Sequence, residues 1–165
     1  VTITNSSKIG YLQDLCIKHG DFKIAKAVGE AWSKHLSVLY CWENELWSFM
    51  ESANNRQILP SELVLDIDGD NIEERHQKIH KQLDEWKMKY SCWKSGGRGI
   101  HIHTIIPKII LFGVEERREI KIHTIKKLGC ETQKWSSNVM IALENSQHRH
   151  TGNLKTLIHS NEVEQ

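Results

Sequence analysis

The chain has 165 residues, 39% hydrophobic and 26% charged, with 22 basic and 21 acidic side chains and a formal net charge of +1. These values suit one compact domain of ordinary globular composition and exclude collagen-like, low-complexity and disulfide-scaffold proteins. The longest apolar run, Ile105 to Phe112, is broken by Pro107 and Lys108 and falls far short of the roughly 20 residues a membrane span needs, so no membrane partner is expected. Basic and acidic side chains number 6 and 6 in residues 1–60, 6 and 8 in 61–94, and 10 and 7 in 95–165. An acidic middle followed by a basic end is compatible with a basic groove on a nearly neutral protein. The four cysteines (Cys16, Cys41, Cys92, Cys130) form no CxxC pair and no zinc-finger spacing, so no structural zinc is expected. With no signal peptide at the start, the plain expectation is an intracellular protein with reduced thiols, in the cytoplasm or a eukaryotic nucleus. The first residue is Val1, which fits a fragment of a longer protein.

In chain order, residues 1–60 read as a mostly helical subregion, with helices over 11–19, 22–32 and 43–50 and a short apolar run over 36–41. Asn54, Asn55 and Pro60 then punctuate the chain. Residues 62–68 read as a strand ended by Gly69-Asp70-Asn71. Residues 72–90 predict the clearest helix, because Ile72, His76, Ile79, Leu83, Trp86 and Tyr90 recur at steps of three and four. Asp70 or Asn71 is placed to cap its start, and Glu73 and Glu74 sit in its first turn. A glycine-rich loop over 95–99 leads into a strand over 100–106, then a helix over 115–128 and strands over 139–143 and 154–159. The series predicts one α+β domain: an RRM-like antiparallel or mixed sheet with helices packed on one face, a helical N-terminal part, and a motif-bearing core over 61–160.

Period-two geometry makes the first strand informative. Leu63, Leu65 and Ile67 share one face, while Val64, Asp66 and Asp68 share the other, with the two carboxylates about 6–7 Å apart along the strand. Adjacent carboxylates repel, and a hard divalent cation such as Mg²⁺ or Mn²⁺ resolves that repulsion; a solvated turn at a strand end is the plainer alternative. The second strand places His101 and His103 on one face and Ile100 and Ile102 on the other. Ahead of it, Gly96, Gly97 and Gly99 allow close backbone approach, Arg98 offers a planar donor fork, and Ser95 adds a hydroxyl. Together these make a credible triphosphate cradle.

Leu65-Asp66-Ile67-Asp68 followed by Ser95-Gly96-Gly97-Arg98-Gly99-Ile100-His101 resembles the first two motifs of the archaeo-eukaryotic primase superfamily, whose members include primase small subunits and primase-polymerases. The resemblance covers roughly residues 60–160. It implies metal ligation by Asp66 and Asp68 in a two-cation site for Mg²⁺ or Mn²⁺, and phosphate binding by His101 with Ser95, Gly97 and Arg98. His103 has no counterpart and is a candidate to support its neighbours. The segment from Gln147 to Lys155 is similar to a third motif, with Arg149 and Lys155 in the positions of nucleotide-gripping cations. The superfamily's third metal carboxylate falls in this chain near Ser137-Asn138, where no acid stands. Glu144 is the nearest carboxylate and Glu131 the other candidate.

The implied activity is DNA primase or polymerase chemistry, adding (d)NTPs to a nucleic-acid 3′ end on single-stranded or primer-template substrates, with helicase, zinc or large-subunit functions supplied in cis or trans. One alternative is a catalytically impaired nucleotide- or nucleic-acid-binding module of the same fold. A second is a replication nuclease using the His101-Ile102-His103 pair. That nuclease needs a tyrosine nucleophile on a following helix, whereas Tyr11, Tyr40 and Tyr90 all precede the pair. The six tryptophans (Trp32, Trp42, Trp47, Trp86, Trp93, Trp135) read as core residues ahead of base-stacking platforms.

Overall fold

A computed structural model describes residues 7–27, 35–39, 47–130, 135, 139–148 and 150–162. Helix α1 (Lys8–His19) opens the chain; the Ser7 hydroxyl caps the Gly10 N–H, and Gly20, at φ 79°, closes the last turn on the Cys16 carbonyl. Strands β1 (Lys23–Ala27) and β2 (His35–Leu39) follow, then a short helix α2 (Trp47–Ser52) and strand β3 (Asn55–Gln57). Next come β4 (Glu62–Ile67), α3 (Ile72–Glu85), β5 (Tyr90–Lys94), β6 (Ile100–Ile105), a 3₁₀ turn over Pro107–Leu111, α4 (Val114–Lys127), β7 (Met140–Ala142) and β8 (Thr156–Ser160).

The α+β class holds, but the first sixty residues depart from the sequence expectation. Of the segment expected as a helix over 22–32, Lys23–Ala27 form β1, paired antiparallel with both β2 and β3, and 28–32 lie outside the described residues. Its lysines, three apart with Ile24, Ala25 and Ala27 buried, fit a helix as readily as a strand, and pairing partners decide between them. Among the described residues the strands form two four-stranded sheets, β2-β1-β3-β7 and β4-β6-β5-β8, so β7 joins the N-terminal strands rather than the sheet that carries Asp66 and His101. Helix α3 also stops earlier than its apolar stripe suggests. The chain turns at Lys87 (φ 58°), releasing Tyr90 to begin β5. Asn71 occupies the N-cap of α3 in the left-handed region without a side-chain cap.

Strand parity on β4 and β6 is as expected. Leu63, Leu65, Ile67, Ile100 and Ile102 pack with Ile79 and Leu83 of α3 and Ile125 of α4, so these helices cover one face of the second sheet. The opposite face carries Glu62, Val64, Asp66, His101 and His103 and turns toward the first sheet, where Val64 meets Ile58 and Ile141. Trp93 of β5, fully buried and edge-on to Tyr11 at 5.4 Å, joins Ile24, Phe22 and Leu143 in a cluster drawing on both sheets. Its indole N–H donates to the Ser91 hydroxyl, in keeping with a core role. Trp32, Trp42 and the Trp47 side chain lie outside the described residues. Among the described residues no helix is long and apolar enough to cross a membrane.

Candidate functional site

Asp66 and His101 are cross-strand partners in the β4–β6 ladder, with Oδ1 of Asp66 3.5 Å from Nε2 of His101. The Asp66 carboxylate is 23% exposed and the imidazole 10%, so the pair lies at the rim of the inter-sheet face rather than within it. Asp68, one turn of the pleat further on, is exposed, and its Oδ1 accepts from the Gly69 N–H at 2.8 Å. Arg75 of α3 donates to the carbonyls of Asp68, Asp70 and Gly129, tying the acidic strand end to the end of α4.

The loop 95–99 joins β5 to β6 and folds back against β4. Ser95 N–H donates to the Gly99 carbonyl at 3.0 Å, and the Gly97 N–H donates to the Ser95 hydroxyl at 3.2 Å. A Cβ on Gly99 would stand 2.9 Å from the Ile67 carbonyl oxygen, and one on Gly96 (φ 89°) would stand 2.7 Å from the Asn153 carbonyl oxygen. Those approaches are the local reason for glycine. They wedge the loop between the Asp68 end of β4 and the segment 147–154, leaving Arg98 exposed.

That segment is a small hairpin closed by the Gln147–Leu154 bridge and the His148 N–H to Asn153 carbonyl bond of 2.7 Å. The Thr151 hydroxyl and the Asn153 amide both donate to the Gly96 carbonyl, at 2.7 and 3.3 Å. The hairpin therefore docks on the glycine loop. Nδ1 of His148 accepts from the N–H groups of His150 and Thr151, at 3.2 and 3.3 Å, so its ring proton sits on Nε2. This nitrogen faces the loop, 3.5 Å from where a Gly97 Cβ would be. The sequence offers no signal for His148 beyond its place in the segment Gln147 to Lys155 that is similar to a third motif. Arg149, Asn138 and Glu131 lie outside the described residues.

Glu144, Lys155 and His103 are placed differently from the rim residues. All three are buried in an ion cluster between the sheets, with Arg56 of β3 and Glu62 of β4. Arg56 makes a bidentate pair with Glu62 (both contacts 2.8 Å) and two 3.0 Å contacts to Glu144. Lys155 Nζ donates to His103 Nε2 at 2.9 Å and to the Ala142 carbonyl at 2.8 Å, and stands 3.5 Å from Glu144. Because an ammonium only donates, Nε2 of His103 accepts and its Nδ1–H is left to donate to Glu62 at 2.9 Å. Two cations face two carboxylates around a neutral imidazole. Burial alone would raise the Glu144 carboxyl, but Arg56 and Lys155 outweigh it and hold the group down to about 2. Burial lowers the Lys155 ammonium to about 8 against the opposing pull of Glu144. Burial, with Lys155 adding to it, also lowers His103. Glu144 and Lys155, foreseen at the cation and triphosphate, thus have their charged atoms satisfied inside the protein. Arg56 and Glu62, absent from the sequence expectations, are their partners.

Among the described residues no group of three or more His, Cys, Asp or Glu converges as a metal centre. Asp66 is half-buried on β4, and Asp68 stands exposed just past the end of that strand at Ile67. One or two carboxylates are what Mg²⁺ commonly takes from a protein, with water and other oxygens completing its octahedron.

No protein-family model and no curated protein matches this chain. A solved structure, the AEP domain of the primase-polymerase (PrimPol) of cyanophage S-2L, superposes with a TM-score of 0.58 at 12% identity, over 91% of this chain and 88% of that one. At that identity the likeness is one of fold: the chain has the α+β architecture of a primase-polymerase AEP domain.

Proposed function

We propose that this domain is a nucleotidyltransferase of primase-polymerase type, which binds a nucleoside triphosphate with a divalent cation and extends a nucleic-acid 3′ end. The observation that carries the proposal is the meeting, at one rim, of Asp66 with His101 and of the glycine loop with the end of β4. Asp66 and Asp68 would hold Mg²⁺ or Mn²⁺. Bound there, the cation supplies charge neutralisation on the phosphates and acidifies the 3′-hydroxyl. His101, beside Asp66, would meet a phosphate oxygen of the same nucleotide. The loop brings the Ser95 hydroxyl, the Arg98 fork and glycine backbone to the triphosphate, and His148 Nε2–H reaches it from the hairpin side. In the reaction the 3′-oxygen bonds to the α-phosphorus, the α–β bridging bond breaks, pyrophosphate departs, and the hydroxyl proton passes to solvent.

A second reading is favoured by the burial of Glu144, which leaves two described carboxylates at the rim: a module of the same fold that binds nucleotide without turning it over. The nuclease reading loses ground, because His103 is engaged by Glu62 and Lys155 and its ring stands at 73° to that of His101, centroids 6.4 Å apart. Primer-template extension with Mn²⁺ tests the proposal. The chain extends, and Asp66→Ala abolishes extension without loss of fold. Undiminished incorporation by Asp66→Ala refutes the assignment, and nucleotide binding without extension by the unaltered chain selects the module.

A further inference from the structure

Behind the hairpin that docks on the glycine loop lies a cleft of about 820 Å³, walled by residues of α1, β1 and α2 on one side and by residues 145–148, 150–152 and 154 on the other. Of the residues assigned to the nucleotide only His148 lines it, and Asp66, Asp68, Ser95, Arg98 and His101 do not. Its chemistry is mixed in a particular way. Lys26 of β1 is exposed at its wall, and Lys8 adds a second positive charge, held by its bonds to the Glu51 and Ala53 carbonyls at the end of α2. Glu51 contributes the one acid of the lining. Opposite stand the exposed imidazole of His150, its ring centroid 5.6 Å from that of His148, and Leu154, an apolar side chain left 50% exposed. Gln147 and Asn145 add amides, and the Asn145 side-chain nitrogen is covered without a hydrogen-bond partner.

Cations for phosphodiester oxygens, a ring and an apolar surface for base faces, and amides for base or sugar edges are what a single strand of nucleic acid requires. We propose that this cleft holds a single-stranded nucleic-acid segment beside the nucleotide site. The hairpin is a shared wall: Thr151 and Asn153 bond the glycine loop while His150 and Leu154 line the cleft. The inference rests on the nucleotidyltransferase reading for why a strand should pass here, and the binding itself is measurable without it.

The test is fluorescence anisotropy of a labelled oligothymidylate of about a dozen nucleotides, on the whole chain, with EDTA present so that no cation bridges at Asp66. The expected result is salt-sensitive binding that Lys26→Glu with His150→Glu weakens by about tenfold or more, with a salt slope smaller by about one. Lys78→Glu, a charge change equal to that of Lys26→Glu but on the exposed side of α3 away from the cleft, keeps the affinity of the unaltered chain, and thymidine monophosphate competes far less well than unlabelled oligonucleotide. Both Lys26 and His150 are exposed, so the fold survives their replacement. Lys26→Gln with His150→Gln, free of introduced charge, should show a smaller loss in the same direction. Absence of oligonucleotide binding by the unaltered chain, equal binding by the Glu variant, or equal competition by the mononucleotide overturns the proposal. Oligonucleotide binding that depends on Lys26 and His150, in a chain that never extends a primer, upholds the cleft and sinks the catalytic reading. Extension by a chain whose strand affinity ignores both residues does the reverse.

Discussion

In a Glu144→Gln chain, Arg56 and Lys155 would face the Glu62 carboxylate alone, leaving one buried positive charge without its counterpart. The magnitude follows from two directions. Glu144 is fully buried and titrates at about 2 against 4.5 for an ordinary glutamate, which linkage converts to about 3 kcal/mol of stability at neutral pH. Breaking a buried ion pair by removing one partner costs about 3–5 kcal/mol. For a domain of this size that is a fall in melting temperature on the order of 10 °C. The sign with pH is fixed as well. A carboxyl held low stabilises above its unfolded value and loses that contribution as pH falls from about 4.5 to about 2. The glutamine variant should therefore be less stable at neutral pH, with the deficit closing toward pH 2. It should also narrow as pH rises toward 8, because without Glu144 to raise it Lys155 sheds its proton below the value of about 8 that it has in the unaltered chain. Calorimetry or urea unfolding from pH 2 to 9 reads this directly. A melting temperature within about 2 °C of the unaltered chain at pH 7 would refute the assignment of a charged, mutually dependent cluster.

Two further outcomes are expected. Gly99→Ala places a Cβ 2.9 Å from the Ile67 carbonyl oxygen, so it should push the loop off the end of β4 and cost about 1–3 kcal/mol, seen by thermal unfolding, and weaken nucleotide binding about tenfold in titration calorimetry. At alkaline pH, Lys155 and Lys121, both buried and lowered to about 8, release protons that the unfolded chain retains, so stability rises from pH 8. Above about pH 9 the Cys92 and Cys130 thiols, pushed up by burial to about 12 and 11, keep protons the unfolded chain has lost, and the rise turns over. Urea midpoints across pH 7–10 should pass through a maximum, and a steady decline from pH 7 contradicts the buried lysines.

What the sequence made legible was local. Alternation alone assigned Asp66 and His101 to the face opposite Leu65 and Ile102, because a strand has period two and both segments are bounded by glycines. The glycine loop was legible for the same reason, glycine being needed where backbones approach. Residues 22–27 were misread because a short stretch of lysine, alanine and isoleucine fits either period, and its strand state depends on β2 and β3, the latter about thirty residues away. The ion cluster was not legible at all. Arg56 and Glu144 are 88 positions apart, and nothing in Glu144 or Lys155 as residue types says whether a carboxylate or ammonium faces a substrate or another side chain. Folding topology, which brings β3 against β7, decides that.

The most direct measurement is titration calorimetry of a non-hydrolysable nucleoside triphosphate with Mn²⁺ into the chain, beside Asp66→Asn and His101→Ala. Nucleotide affinity should depend on Mn²⁺ in the unaltered chain, lose that dependence in Asp66→Asn, and fall by about tenfold or more in His101→Ala. Equal, Mn²⁺-independent affinity in all three chains would contradict a nucleotide–cation site at the Asp66–His101 rim.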